Sequence, residues 1–93
     1  VPSDLPADDA WLSSERRRIG KAIRDTRIDR NLTQETVYLA IPLARSFYQE
    51  IESGQANPSL ETLLRIARVL GVTIADLLRT DGPTAGLGPS DRI

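Results

Sequence analysis

Cysteine and histidine are both absent from these 93 residues. That excludes disulfides, thiol redox chemistry, the common zinc sites and every catalytic triad that uses imidazole. No apolar run approaches the roughly 20 residues of a membrane-spanning helix. The stretch 1–12 holds Asp4, Asp8 and Asp9 without a single base, which is not the pattern of a secretory signal peptide. No internal repeat is visible. The expectation is a soluble, cytoplasmic chain with one small core, since a chain of this size buries only about two-thirds of its unfolded surface. No metal and no cofactor are expected. An enzyme is the least favoured class: the Asp8–Asp9 pair lies in an extended stretch, and nothing holds it near a pocket as acid–base work requires.

The net charge of −1 conceals a division along the chain. Asp4, Asp8, Asp9, Asp81 and Asp91 lie outside residues 13–79, whereas Arg92 is the sole base there, so the central stretch is net basic. Arg16, Arg17, Arg18, Lys21, Arg24, Arg27 and Arg30 make a run that suits a solvated helix face as well as a phosphate-facing patch. Lys21 is the single lysine. Arginine suits bidentate phosphate contacts, although a bias in base composition accounts for it equally well.

Three stretches follow from this patterning: an extended acidic arm over 1–12, a helical domain over 13–79 and a flexible Gly/Pro-containing tail over 80–93. Trp11 and Leu12 are expected to cover the domain's core or a second subunit, with core cover preferred. Ser13 or Ser14 can cap a long helix reaching about Arg30. Its apolar face (Ile19, Ala22, Ile23) is thin, which predicts a place on the outside of the bundle. Gly20 costs such a helix about 1 kcal/mol relative to alanine and points either to close packing or to tolerance.

The chain is organised around residues 32–54. Thr33 is an N-cap for a short helix that Pro42 ends near Ile41, because a residue before proline is pushed out of the α region. A second helix runs from about Ala44 to Ser53, and Gly54 suits the left-handed position that closes it. Val37, Ile41, Leu43, Tyr48 and Ile51 share one interior, leaving Gln34, Arg45, Ser46, Gln49 and Glu50 outward. Two short helices with a tight break and a polar outer face make a helix-turn-helix candidate. After the loop 55–58, Ser59 caps a helix with Leu60, Leu63, Leu64, Ile66, Ala67 and Leu70 inward, ending at Gly71. Thr73 and Asp76 form a capping-box pattern for a last helix from Ile74 to about Arg79, whose Ile74, Leu77 and Leu78 close the core.

Over residues 16–79 the chain resembles the phage-repressor and Cro-like helix-turn-helix proteins, the xenobiotic-response-element family. The marks are Ile19-Gly20 with Ile23 and Arg27, then Leu32-Thr33-Gln34-Glu35, then Ile51-Glu52-Ser53-Gly54, and then Asn57-Pro58-Ser59-Leu60-Glu61-Thr62-Leu63 leading to Ile66-Ala67 and Leu70-Gly71-Val72. The resemblance implies an all-α, five-helix bundle of the lambda-repressor-like DNA-binding type, with helices two and three as the helix-turn-helix. It also implies a sequence-specific regulator of transcription, repression being the expected mode. The third helix would enter the major groove, and a homodimer would read a palindromic operator with half-sites about 34 Å apart.

Carried onto this sequence, the resemblance places Arg45, Ser46, Gln49 and Glu50 at base edges and Phe47 against a thymine methyl or sugar. Arginine pairs bidentately with guanine and glutamine with adenine, while a carboxylate accepts from cytosine N4. Gln34, Thr33, Gln55 and Asn57 would hold phosphates, and Arg27 would both face phosphate and pair with Glu52 in a structural ion pair. An ordinary solvated position is the competing reading for each polar side chain. Tyr38, Pro42 and Ala44 depart from the family's small residue, turn glycine and helix-three cap. They predict an altered turn or helix angle. An alternative function is a protein-interaction module, such as an antitoxin or co-regulator, suggested by the acidic arm and by Glu50.

Overall fold

The computed structural model describes residues 10–79, and these form five α-helices with no strand. The acidic arm up to residue 9 and the tail over 80–93 lie outside the described residues.

Helix α1 spans Ala10–Asp29 and so starts before the serines expected to cap it. Ser13 is already helical, and its Oγ accepts from Arg16 Nη2 at 3.3 Å. Trp11 and Leu12 therefore belong to α1, not to an arm. Leu12 lines a small apolar groove with Ile19, Ile51 and Leu63. Trp11 does not cover the core; it is 68% exposed. The thin apolar face also misplaced α1, which packs against α3, α4 and α5. Gly20, buried where α1 meets α3, allows backbones rather than side chains to make that approach.

Helix α2 (Gln34–Ala40) is capped by Thr33, whose side chain accepts from the Thr36 amide. It gives way at Ile41 to a turn containing a cis Ile41–Pro42 bond, closed by the Leu43 amide on the Tyr38 carbonyl at 2.7 Å. No residue of this turn has positive φ, so proline is tolerated in it and no glycine is required. Tyr38 is half-buried, its ring tilted 47° against Tyr48 with centroids 6.4 Å apart. Its bulk is thus used between α2 and α3. Helix α3 (Arg45–Ser53) starts at Ala44 with no side-chain cap and ends at Gly54 with φ of 83°.

Helix α4 (Leu60–Leu70) is capped by Ser59, and α5 (Ile74–Leu78) by Thr73 and Asp76 in a complete capping box. Ile66, Ala67 and Leu70 are buried and Leu63 packs against them. Leu60 and Leu64 are not inward, at 64% and 46% exposed. Four residues apart, they form a second stripe beside the core-facing one. Leu78 is likewise exposed, although its carbonyl accepts from Arg18 Nη1 at 2.8 Å. Among the described residues the largest fully buried side chains are Tyr48, Ile23, Ile66, Leu70, Leu77 and Val37, drawn from all five helices.

Candidate nucleic-acid interface

Helix α3 divides cleanly by its helical period. Tyr48, Ile51 and Glu52 are buried on one side, and Arg45, Ser46, Gln49, Glu50 and Ser53 are exposed on the other. The apolar residues at i and i+3 press α3 onto α1 and α2, so the polar residues are forced together on a convex outer surface. Beside it, Gln34, Glu35 and Tyr38 of α2 and Arg45 and Gln49 of α3 line an open polar notch. Arg45 has no hydrogen bond or ion pair among the described residues, so its guanidinium is available.

Behind that surface stands Glu52, 3% exposed in its side chain. Arg27 Nε donates to Glu52 Oε2 at 2.7 Å and Arg27 Nη2 to Oε1 at 3.1 Å, a bidentate pair. Tyr48 Oη donates to Oε2 at 2.5 Å, and Gln34 Nε2 to Oε1 at 3.0 Å. Burial by itself would raise the Glu52 pKa, but the donors Arg27, Tyr48 and Gln34 together hold it below the ordinary carboxylate value. The hydrogen bond to Glu52 raises that of Arg27. Burial, and then the bond to Glu52, pushes the Tyr48 phenol far above its usual range. One carboxylate thereby ties the end of α3 to α1 and to the start of α2.

This arrangement bears on three of the side chains expected at the DNA. Arg27 is drawn inward: its side chain is 11% exposed, and its third nitrogen, Nη1, donates to the Leu32 carbonyl at 2.9 Å. The half-buried Gln34 side chain spans two partners, its Nε2 donating inward to Glu52 and its Oε1 accepting from Gln49 Nε2 at the exposed notch. Phe47 is half-buried and packs against the core, so it seats α3 instead of joining the polar face. Thr33 Oγ1 is occupied as the cap of α2, also sharing a 2.8 Å bond with Thr36 Oγ1. Gln55 and Asn57 are exposed in the loop after α3, where the Gln55 and Ala56 amides bond back to the Glu50 carbonyl. Sequence reading treated Tyr48 as purely apolar and missed its hydroxyl on Glu52. The signal was present in their i,i+4 spacing, which places the two on one face.

The helix-turn-helix family HTH_3 matches residues 23–77. The chain is 41% identical over 56 residues to the cryptic phage CTXphi transcriptional repressor RstR of Vibrio cholerae, an overlap of 60% of this chain and 50% of that protein. It is 30% identical over 76 residues to the ImmF control region 10 kDa protein of Bacillus phage phi105, covering 82% of this chain and 84% of that one. The chain thus spans half the length of the first relative and most of the second. Among solved structures, the restriction-modification controller protein C.AhdI from Aeromonas hydrophila is similar with a TM-score of 0.67 and 31% identity, over 69% of this chain and 97% of that one. The hypothetical transcription factor NHTF from Neisseria shares the fold, with a TM-score of 0.66 at 24% identity over 94% of this chain and 93% of that one. With the five helices, the capped turn and the polar face of α3, these likenesses show that the chain belongs to the helix-turn-helix family HTH_3, the Cro/C1-type DNA-binding transcriptional regulators, and not to a family of enzymes.

Proposed function

We propose that this protein is a sequence-specific repressor that reads duplex DNA in the major groove with α3, as a homodimer on a palindromic operator. The observation that carries the reading is the surface shared by Arg45, Ser46 and Gln49, exposed together on a short helix whose opposite side is anchored by Glu52. A rod of this kind fits the roughly 12 Å width of the major groove. Arg45 contacts a base edge, Ser46 and Gln49 extend the reading along the helix, and Gln55 and Asn57 hold backbone phosphate. Glu50, exposed on the same face, accepts from a cytosine amino group and disfavours other bases there by repulsion and unpaired desolvation. Pairing of two copies is supported by the apolar side chains left uncovered on one protomer, among them Trp11, Leu60 and Leu64. The relative named as a transcriptional repressor supports regulation of transcription as the role, which a DNA-bound copy would exercise at the bacterial nucleoid.

Selection of random duplexes by the folded 93-residue chain at low salt tests this directly. The expected result is enrichment of one inverted repeat with half-site centres about one helical turn apart, or a multiple of that spacing. Binding should also weaken steeply as salt rises, because phosphate contacts release counterions. Failure of a folded protein to enrich any sequence would sink the proposal.

A further inference from the structure

Four donors converge on the two oxygens of Glu52: Arg27 through two nitrogens, Tyr48 through its hydroxyl and Gln34 through Nε2. An ionised carboxylate offers about four acceptor sites and no proton to donate, so this one is saturated. The chemistry fixes which end of the Gln34 amide faces it. Only the NH2 group can donate, and the Gln34 carbonyl oxygen must therefore point the other way. There it meets Gln49 Nε2 at 3.3 Å, on the exposed face of α3. Two identical amides, which alone are free to flip, are thus ordered in one sense by a buried charge. In that sense the Gln49 Nε2 is turned toward Gln34, and its Oε1 is left as the group without a protein donor.

We infer that Gln49 reads an exocyclic amino group on a base edge, adenine N6 or cytosine N4, and that Gln34 is the positioning residue that sets the polarity of its amide. The inference rests on the DNA-binding reading and deepens it. Turned the other way, the Gln49 amide would present its NH2 to the groove and suit the carbonyl acceptors of guanine or thymine. With Gln34 in place that orientation sets two carbonyl oxygens against each other. Guanine O6 or thymine O4 facing Gln49 Oε1 is rejected for the same reason. Gln34 therefore acts on specificity through the Gln49 amide.

The test uses the full chain and the duplex enriched by selection. Gln49→Ala identifies the base pair at which preference disappears. At that pair the amino group is then deleted, by purine in place of adenine or 2-pyrimidinone in place of cytosine. Wild-type affinity should fall about tenfold on deletion, the scale of a lost base contact, and Gln49→Ala should be indifferent to it. Gln34→Met, checked for folding by thermal melting, should shrink the wild-type penalty while preference at the Arg45-dependent pair is retained. A merely structural role for Gln34 would weaken all positions alike, and that result overturns the positioning claim. So does full amino-group discrimination by folded Gln34→Met. If Gln34→Met does not fold, amide exchange in the wild type decides: Gln34 side-chain protons must exchange more slowly than those of exposed Gln55, and equal rates overturn the relay. An enriched operator whose affinity ignores every amino deletion overturns the inference while leaving the regulator reading intact. No enriched operator at all removes both.

Discussion

Gly20 lies so close to Ile51 that a β-carbon added to it would come within 2.4 Å of the Ile51 carbonyl oxygen and 2.6 Å of that of Glu52. Both neighbours are backbone, so no rotamer change relieves the contact. Helix propensity alone favours Gly20→Ala by about 1 kcal/mol, but overpacking of this kind typically costs about 1–3 kcal/mol. Because α1 and α3 would have to move apart, the clash should win. Urea unfolding of Gly20→Ala should show a lowered midpoint, and a raised one would show that the helices separate at little cost.

Arg27 and Glu52 are coupled by a bidentate pair that water scarcely reaches. Removing either partner strands a charge. Glu52→Leu should lose about 3–5 kcal/mol, whereas the double variant Arg27→Met with Glu52→Leu should be less destabilised than the sum of the single changes. A double-mutant cycle in urea measures the difference. Strict additivity would mean that the pair is not coupled in solution.

The same carboxylate gives stability a predictable acid limb. The folded-state pKa of Glu52 lies below its ordinary 4.5, so the unfolded chain binds the proton more readily. Its contribution is present above about pH 4.5 and disappears as pH falls through the lower folded value. Asp76 is also lowered, by the Thr73 amide and Arg79, and Glu15 by Arg18, so both act in the same direction. Unfolding free energy followed by denaturant titration should therefore decline on the acid side of pH 4.5 in the wild type. The decline should be shallower in the Arg27→Met, Glu52→Leu double variant, and equal slopes would assign the limb to other groups.

Arg45 is exposed and has no hydrogen bond or ion pair among the described residues, so its replacement separates binding from folding. Arg45→Ala should leave the melting temperature within experimental error and weaken operator binding by about 1–3 kcal/mol. Fluorescence anisotropy on the selected duplex reads the loss. An unchanged affinity would place the reading surface elsewhere.

Much of the architecture was determined by local sequence. Thr33, Ser59 and Thr73 mark helix starts because a hydroxyl can satisfy an otherwise unpaired amide only at that position, and each is found capping in this way. Gly54 marks a helix end because its left-handed φ is costly for any residue with a β-carbon. The period of α3 likewise separates Tyr48 and Ile51 from Arg45, Ser46 and Gln49.

Tertiary structure decided everything that depends on a neighbour distant in sequence. Periodicity counts Leu60 and Leu64 as core residues, yet whether a leucine is covered depends on what packs over it, and the described chain leaves both largely open. Gln34 reads as a free polar group in one dimension, and Arg27 is paired with Glu52 there only through the family resemblance. Both donate to Glu52 because the fold brings it, 18 and 25 residues away, to within hydrogen-bonding distance, and a buried carboxylate must be satisfied. Sequence thus set the helices and their polar faces, while packing chose which polar groups were left to meet a partner.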